Sequence, residues 1–448
     1  MTAVTLSELR AAVSGAVITP DDSEWDAARL FHSGIGLPTA IVRPASLADV
    51  RAAVMWAAAS GSPVVVRGGG HGPWGSVPGG LTVDLGAFTS VDVDIDADGA
   101  LVRVGGGATW GDVARTLAPR GLGISSGDTA SVGVGGLTLG GGIGWMTRAW
   151  GLTIDQLVGA EVVTAAGDLV EVSSDVEPDL FWALRGGGGN FGVVTRFDFR
   201  AHELPAVVFA TMTIEGDARP VITALAEALV DAPRDVTVTY MDVPPMDPSA
   251  PAGATITACW ANDDAGAARA VLGPIAESPG VSSFDIAVQA YPDILLDMPA
   301  YDPAAPMPGF VGGNTLLPVL DEIAIDRLVA FREDHPASVV LLRSLGGAFG
   351  DVPPETTAFA ARDATWFAMA GAFDLPGLLS DDERAAIVAE WSAIESLGVG
   401  VYGNFTTSTT EDWVPRMYPP ATLARLSAVK RSWDPGNVFS RTHNVAPA

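Results

Sequence analysis

The chain has two rhythms of apolar and polar positions, and the change between them falls near residue 206. Before it, short apolar runs end in glycines. TAIVRP (39–44) reads as a strand leading into SLADVRAAVMWAAASG, an amphipathic helix with Ser46 as its amino-terminal cap. PVVVRGGGHGPWG, LTVDLG, LVRVGGG and SVGVGGLTLGGGIGW (131–145) read as β-rich runs closing in glycine clusters, with a helix over about 109–119 among them. QLVGAEVVTAAGDLVEVS reads as a hairpin turning at Ala166-Gly167-Asp168, PDLFWALRG as a short helix opened by Pro178, and GVVTRFDFR as a strand.

Beyond 206 the glycine clusters stop. Alternating runs (VVFATMTIEG, VTVTYMDV, ATITACWA, SVVLLRSLGG, TWFAMAGAFD) read as strands, with helices expected near 219–231, 264–272, 321–333 and 381–396. That order suits an α+β unit in which helices cover one face of an antiparallel sheet. The proline-rich stretch from Pro292 to Pro318 is expected to be irregular, a pocket rim rather than a linker. Near the end, a helix should place Leu423, Leu426, Val429 and Trp433 on one side.

Composition narrows the functions available. A length of 448 residues with 48% hydrophobic content is more than one core accommodates, so two domains are expected. The net charge of −28 repels phosphate backbones and anionic lipid, so neither nucleic acid nor membrane is an expected partner. Cys259 is the only cysteine, which excludes an internal disulfide framework, and the five histidines include no HExxH-like pair, so no metal is expected. Glu8 and Arg10 interrupt the first apolar stretch where a signal peptide would need an unbroken one. The expectation is a soluble, cytoplasmic protein.

The glycines carry the candidate chemistry. Gly70–Gly75 and Gly187–Gly192 both spell GxGxxG, yet neither has the strand-turn-helix context of a dinucleotide site. Clusters at 68–70, 105–107, 133–144 and 186–192 could instead present backbone N–H groups to a pyrophosphate from several loops, or simply make tight turns. Composition does not choose between these.

The order and wording of the segments do choose. VVVRGGGHGPWG (64–75), SVGVGGLTLGGGIGWMTRAWGLTIDQLVGAEVVTAAGDL (131–169), DLFWALRGGGGNFGVVTRF (179–197), LGGAFGDVPPETTAFAARDATW (345–366), YGNF (402–405) and DPGNVF (434–439) occur in that order. The chain thereby resembles, from about residue 37 to 448, the FAD-linked oxidases of the vanillyl-alcohol-oxidase/para-cresol-methylhydroxylase type, in their berberine-bridge-enzyme-like branch. The resemblance implies an α+β, two-domain FAD-binding fold: residues 1–205 with 399–448 around FAD, and 206–398 as the substrate domain. It implies FAD bonded through His71 to its 8α carbon. It also implies cofactor contacts from Arg67, Gly68, Gly69, Gly70, Gly72, Gly75, Gly127, Asp128, Val132, Gly133, Gly135, Gly136, Gly140, Gly141, Gly142, Val162, Gly192 and Val194.

Where many members have a second attachment cysteine in GxCPxVGxGG, this chain has Thr129, and a hydroxyl cannot replace a thiolate there. Single attachment is expected. In YxNY, the final tyrosine often acts as base in the family; here it is Phe405, leaving Tyr402 and Asn404 as the matched polar groups near the ring. Arg343 and Ser344 fall in a region that forms the substrate-facing sheet in relatives, a buried ion pair or a surface position being an equally good account of Arg343, and Arg362-Asp363 is read as structural rather than catalytic. The implied activity is oxidation of a small molecule with dioxygen as acceptor. A dehydrogenase using another acceptor, or a non-catalytic flavoprotein, are the alternatives. The substrate and the oligomeric state are not readable.

Overall fold

The computed structural model describes residues 4–32, 34–244, 253–298, 302–303, 309–375, 377–406 and 408–448. Ser46 caps the Leu47–Ser60 helix by accepting from the Asp49 amide, and Val50, Ala53, Val54 and Ala57 form its buried stripe. This helix covers a four-stranded sheet in the order Ala16–Ile18, Ala40–Arg43, Leu81–Asp84, Val64–Arg67. The last three strands are parallel, so the chain leaves Arg67 at the same end of the sheet at which it leaves Asp84. The expected hairpin is present: Leu157–Val163 pairs antiparallel with Leu169–Ser173. It belongs to a second, antiparallel sheet with Val193–Glu203, Gly99–Gly105 and Val91–Asp96.

Residues beyond 206 build a seven-stranded antiparallel sheet, ordered Val281–Gln289, Val207–Ile214, Gly253–Trp260, Val236–Val243, Ser338–Ser344, Trp366–Asp374, Gly309–Leu317. The alternation in Val207–Ile214, whose even positions are buried, sends one side chain set into a core shared with the helices Arg219–Ala228, Ala265–Ala276, Glu322–Asp334 and Asp381–Glu395. Trp391 and Ile394 of the last helix join that core.

Two sequence expectations need correcting. Part of the stretch expected to be irregular, Gly309–Leu317, is a strand paired along its length with Trp366–Asp374. No proline falls within it, and Gly312 and Gly313 permit the pairing: a Cβ on Gly312 would lie 2.2 Å from the Ala370 carbonyl oxygen. Residues 299–301 and 304–308 of that stretch lie outside the described residues. The run 131–145, expected to be β-rich, contains the helix Val134–Leu139. Its Val-Gly-Leu alternation imitates a strand, but Val134 and Leu139 are buried in the core of the second sheet.

The carboxy-terminal segment returns to the first two sheets. Leu426 and Val429 of the Pro420–Trp433 helix are buried there, with Leu423 and Trp433 packed beside them, as the periodicity predicts. DPGNVF has a physical role: Asp434 accepts from the Val438 and Phe439 amides and pairs with fully buried Lys430, whose Nζ also donates to the Asn190 and Phe439 carbonyls. Asn190 in turn bonds to His443 and Val445. The tail is thereby locked beside the 186–192 glycines. Among the described residues no helix is long and apolar enough to cross a membrane.

Candidate functional site

A cavity of about 850 Å³, counted with its open mouth, runs between the first two sheets and the returning tail. Gly68, Gly135, Gly136, Gly140, Gly192, Val194 and Asn404 line it, drawn from loops that the sequence flagged separately. Val162 stands one layer behind: it pairs with Val194 across the sheet, and a Cβ on Gly192 would lie 2.6 Å from its Cγ1.

The loop after Val64–Arg67 forms one wall. Arg67 is buried and anchors the loop rather than facing the cavity: Nη2 lies 2.6 Å from Asp84 Oδ2, Nη1 donates to the Ala28 and Leu30 carbonyls, and the guanidinium sits 4.9 Å from the Phe31 ring centroid. That same ring occupies the space a Cβ on Gly75 would need. Gly72 would meet the Trp74 ring in the same way. Gly70 adopts φ +75°, which carries the chain round the bend. Along this bend the amides of Gly68, Gly69, Gly70 and His71 have no hydrogen-bond partner among the described residues.

Gly135 and Gly136, at the end of the segment 127–136, line the facing wall. Gly69 and Gly133 touch through their backbones, since a Cβ on Gly69 would lie 2.3 Å from Gly133 N. Val132 fastens the turn, its amide bonded to the Thr129 carbonyl and its carbonyl to the Trp110 amide. The amides of Gly135 and Gly136, in the first turn of Val134–Leu139, also lack partners among the described residues. Unpaired, clustered N–H groups are the donor set that a pyrophosphate needs, so the cavity fits a dinucleotide cofactor.

Gly127 leads into Asp128, which does not face the cavity as a free carboxylate. It pairs with Arg343, whose Nε donates to Thr239 Oγ1 at 2.9 Å and whose guanidinium lies 5.0 Å from the Trp145 ring centroid. Burial raises the Asp128 carboxyl, but Arg343 and the Thr129 hydroxyl outweigh it and hold the group below the usual range. Arg343 is found in a buried ion pair, not at the surface. Asp128 and Ala130 also bond through their backbones to Leu296, at the start of the stretch expected to form a rim. Arg362 is buried in a bidentate pair with Asp155, both distances 2.8 Å, while Asp363 is exposed.

His71 follows Gly68 on the same loop, beside Ser131 and outside the residues that line the cavity. Its ring stacks on His32, centroids 4.1 Å apart, and Nε2 lies 3.0 Å from Ser131 Oγ. Burial first, then His32, pushes its pKa down to about 4, against a hydrogen bond with the Ser131 backbone. The imidazole is neutral at ordinary pH. Cys259, by contrast, is fully buried in the seven-stranded sheet, and burial pushes its thiol up.

The third glycine group behaves differently. The Gly140 amide bonds to the Gly136 carbonyl, Gly141 to Thr138, and both Gly142 and Ile143 to Tyr402 Oη, at 3.1 and 3.2 Å. These glycines therefore offer room, not donors: a Cβ on Gly140 would lie 2.2 Å from Asn404 Oδ1. Asn404 Nδ2 donates to the Leu137 carbonyl and to Tyr402 Oη, both at 3.0 Å. Tyr402 is buried, and burial pushes its phenol up against the pull of those N–H donors. Phe405 is partly exposed beside it.

The sequence reading missed Met417, Tyr418, Thr442 and His443 on the cavity wall. His443 Nε2 donates to the Gly403 carbonyl, with Trp74 edge-on and Trp413 stacked. A lone histidine in RTHNVA carries no spacing signal; only the Lys430–Asp434 lock brings it to the cavity.

Comparison with known proteins agrees with this geometry. Residues 38–173 match an FAD binding domain, and residues 401–446 match a berberine and berberine-like family. The chain is 31% identical to (R)-6-hydroxynicotine oxidase of Paenarthrobacter nicotinovorans, with 97% of each chain covered. The solved 6-hydroxy-D-nicotine oxidase of Arthrobacter nicotinovorans superposes with a TM-score of 0.81 at 28% identity, over 97% of this chain and 98% of that one. A glucooligosaccharide oxidase from Acremonium strictum, described as carrying 6-S-cysteinyl, 8α-N1-histidyl FAD, shares the fold with a TM-score of 0.80 at 24% identity, over 99% of each chain.

Proposed function

We propose, for a chain that belongs to the berberine-bridge-enzyme-like branch of the FAD-linked oxidoreductases, that it oxidises a small alcohol, amine or phenol and passes the electrons to dioxygen. FAD is held by one covalent bond, at His71. What carries this reading is the loop 68–71, whose unpaired amides end at a neutral imidazole. Thr129 in the cysteine position of doubly bonded relatives supports a single bond, and Cys259 is too deeply buried to supply another.

When bound, FAD supplies the hydride acceptor. The protein's share is placement. The amides of 68–71, 135 and 136 would hold the pyrophosphate. Tyr402 and Asn404 brace the Gly140–Ile143 turn and so would give the bound cofactor a fixed wall. Tyr402 Oη already accepts from the Gly142, Ile143 and Asn404 N–H groups, which makes it a positioning group rather than the base. The Asp128–Arg343 pair, tied to Leu296, closes the side of the site facing the seven-stranded sheet. The experiment is direct. Purified protein should be yellow, keep its colour in the acid-precipitated pellet, and, once reduced anaerobically, regain its oxidised spectrum rapidly in air with release of hydrogen peroxide. Slow recovery in air would mean a dehydrogenase instead.

A further inference from the structure

An imidazole that forms a bond to carbon must offer one nitrogen with a free lone pair while the other carries the proton. The two nitrogens of His71 stand in unlike surroundings. Nε2 is 3.0 Å from Ser131 Oγ and the Ser131 backbone also draws on the ring N–H, whereas Nδ1 makes no hydrogen bond of ordinary geometry among the described residues. One ring face is covered by His32, with 20° between the planes.

Both contacts come from other segments that are tied to the loop carrying His71. The His32 amide donates to the Gly70 carbonyl at 3.0 Å, and Arg67 holds the preceding turn through the Ala28 and Leu30 carbonyls. Ser131 is fixed by the backbone contact of Gly133 with Gly69. The ring is therefore restrained at one edge and on one face, by groups held against the loop.

Resting on the covalent reading above, we propose that Ser131 and His32 are positioning residues for the tethering step. Ser131 Oγ accepts a hydrogen bond from Nε2–H and so leaves the Nδ1 lone pair free toward the 8α carbon, while His32 prevents the ring from turning away. In that step Nδ1 donates its lone pair to the new C–N bond. One hydrogen leaves the carbon and one leaves Nε2 through Ser131, both as protons. The two electrons left behind reduce dioxygen, which takes up two protons and departs as hydrogen peroxide. Atoms and charge balance with dioxygen as the only co-reactant.

The test uses apoprotein mixed with FAD and sampled over time, with covalent flavin read as fluorescence of the acid-precipitated chain. Ser131→Ala should slow incorporation about five- to tenfold, the worth of one hydrogen bond, and Ser131→Thr should restore it. His32→Ala should slow it as well, and His32→Phe, which keeps a ring on that face, should recover most of the rate. Non-covalent FAD affinity, measured with each change in a His71→Ala background, should not move. Incorporation by Ser131→Ala at the parent rate, or an equal loss of non-covalent affinity, overturns the proposal while leaving the covalent reading intact. Absence of acid-stable flavin in the parent protein overturns both.

Discussion

The glycine loops at 68–71 and at 140–143 are alike in composition and opposite in use. In the first, the chain leaves a parallel strand and bends with its amides turned away from any protein acceptor. In the second, the amides are all taken, by Gly136, Thr138 and Tyr402. The difference lies in what stands behind each loop. Arg67 fastens the first loop from its side chain and leaves the amides of 68–71 without partners among the described residues. Tyr402, arriving from the carboxy-terminal segment, fastens the second through the backbone itself. A glycine cluster thus reports only that a Cβ would be in the way, and the partners decide whether it becomes a donor set.

Four changes would break or sharpen that contrast. The largest effect is expected from His71→Ala at the end of the donor loop. Acid-stable flavin should vanish altogether, while gel filtration should still show flavin travelling with the protein because the amides remain. In the other loop, Gly142→Ala should act on folding instead. At φ +89° its new Cβ would lie 2.1 Å from Thr153 Oγ1, so denaturant titration should show a loss of about 2–3 kcal/mol. An unchanged midpoint would mean that the turn is far more pliant than drawn.

Tyr402→Phe comes next, because it leaves the Gly142 and Ile143 amides buried without an acceptor. Stability should fall by about 1–3 kcal/mol, and rapid-reaction flavin reduction by less than about tenfold with the pH profile kept. A large loss together with a vanished pH limb would make Tyr402 the base after all. The smallest effect concerns pH. With His71 held down to about 4 by burial and His32, its nucleophilic form persists from alkaline pH down to near that value. Covalent incorporation should therefore be flat from pH 8 to about 5.5 and decline only as pH approaches 4. A midpoint near 6.5 would show that the imidazole is unshifted.

Much of the architecture was open to reading from residues alone. Ser46, Pro178 and the Leu423–Trp433 stripe each declare their helices through local capping or spacing, and the alternation of Val207–Ile214 declares a half-buried strand. The reading failed where local pattern and packing disagreed. Val134–Leu139 has the alternation of a strand but is a helix, and Gly309–Leu317 was hidden among prolines that lie outside it.

For the site, the sequence by itself determined the chemistry on offer: a histidine at the end of RGGG, no cysteine at position 129, phenylalanine at 405. These are matters of covalent composition and need no fold to be true. Tertiary structure decided which groups remain available. That Arg67 and Asp128 are spent on Asp84 and Arg343, that Tyr402 consumes the amides of Gly142 and Ile143, that Ser131 and His32 meet His71, and that His443 reaches the cavity depend on contacts between segments far apart in the chain. Burial and hydrogen-bond partners are properties of such contacts, and no local pattern of residues carries them.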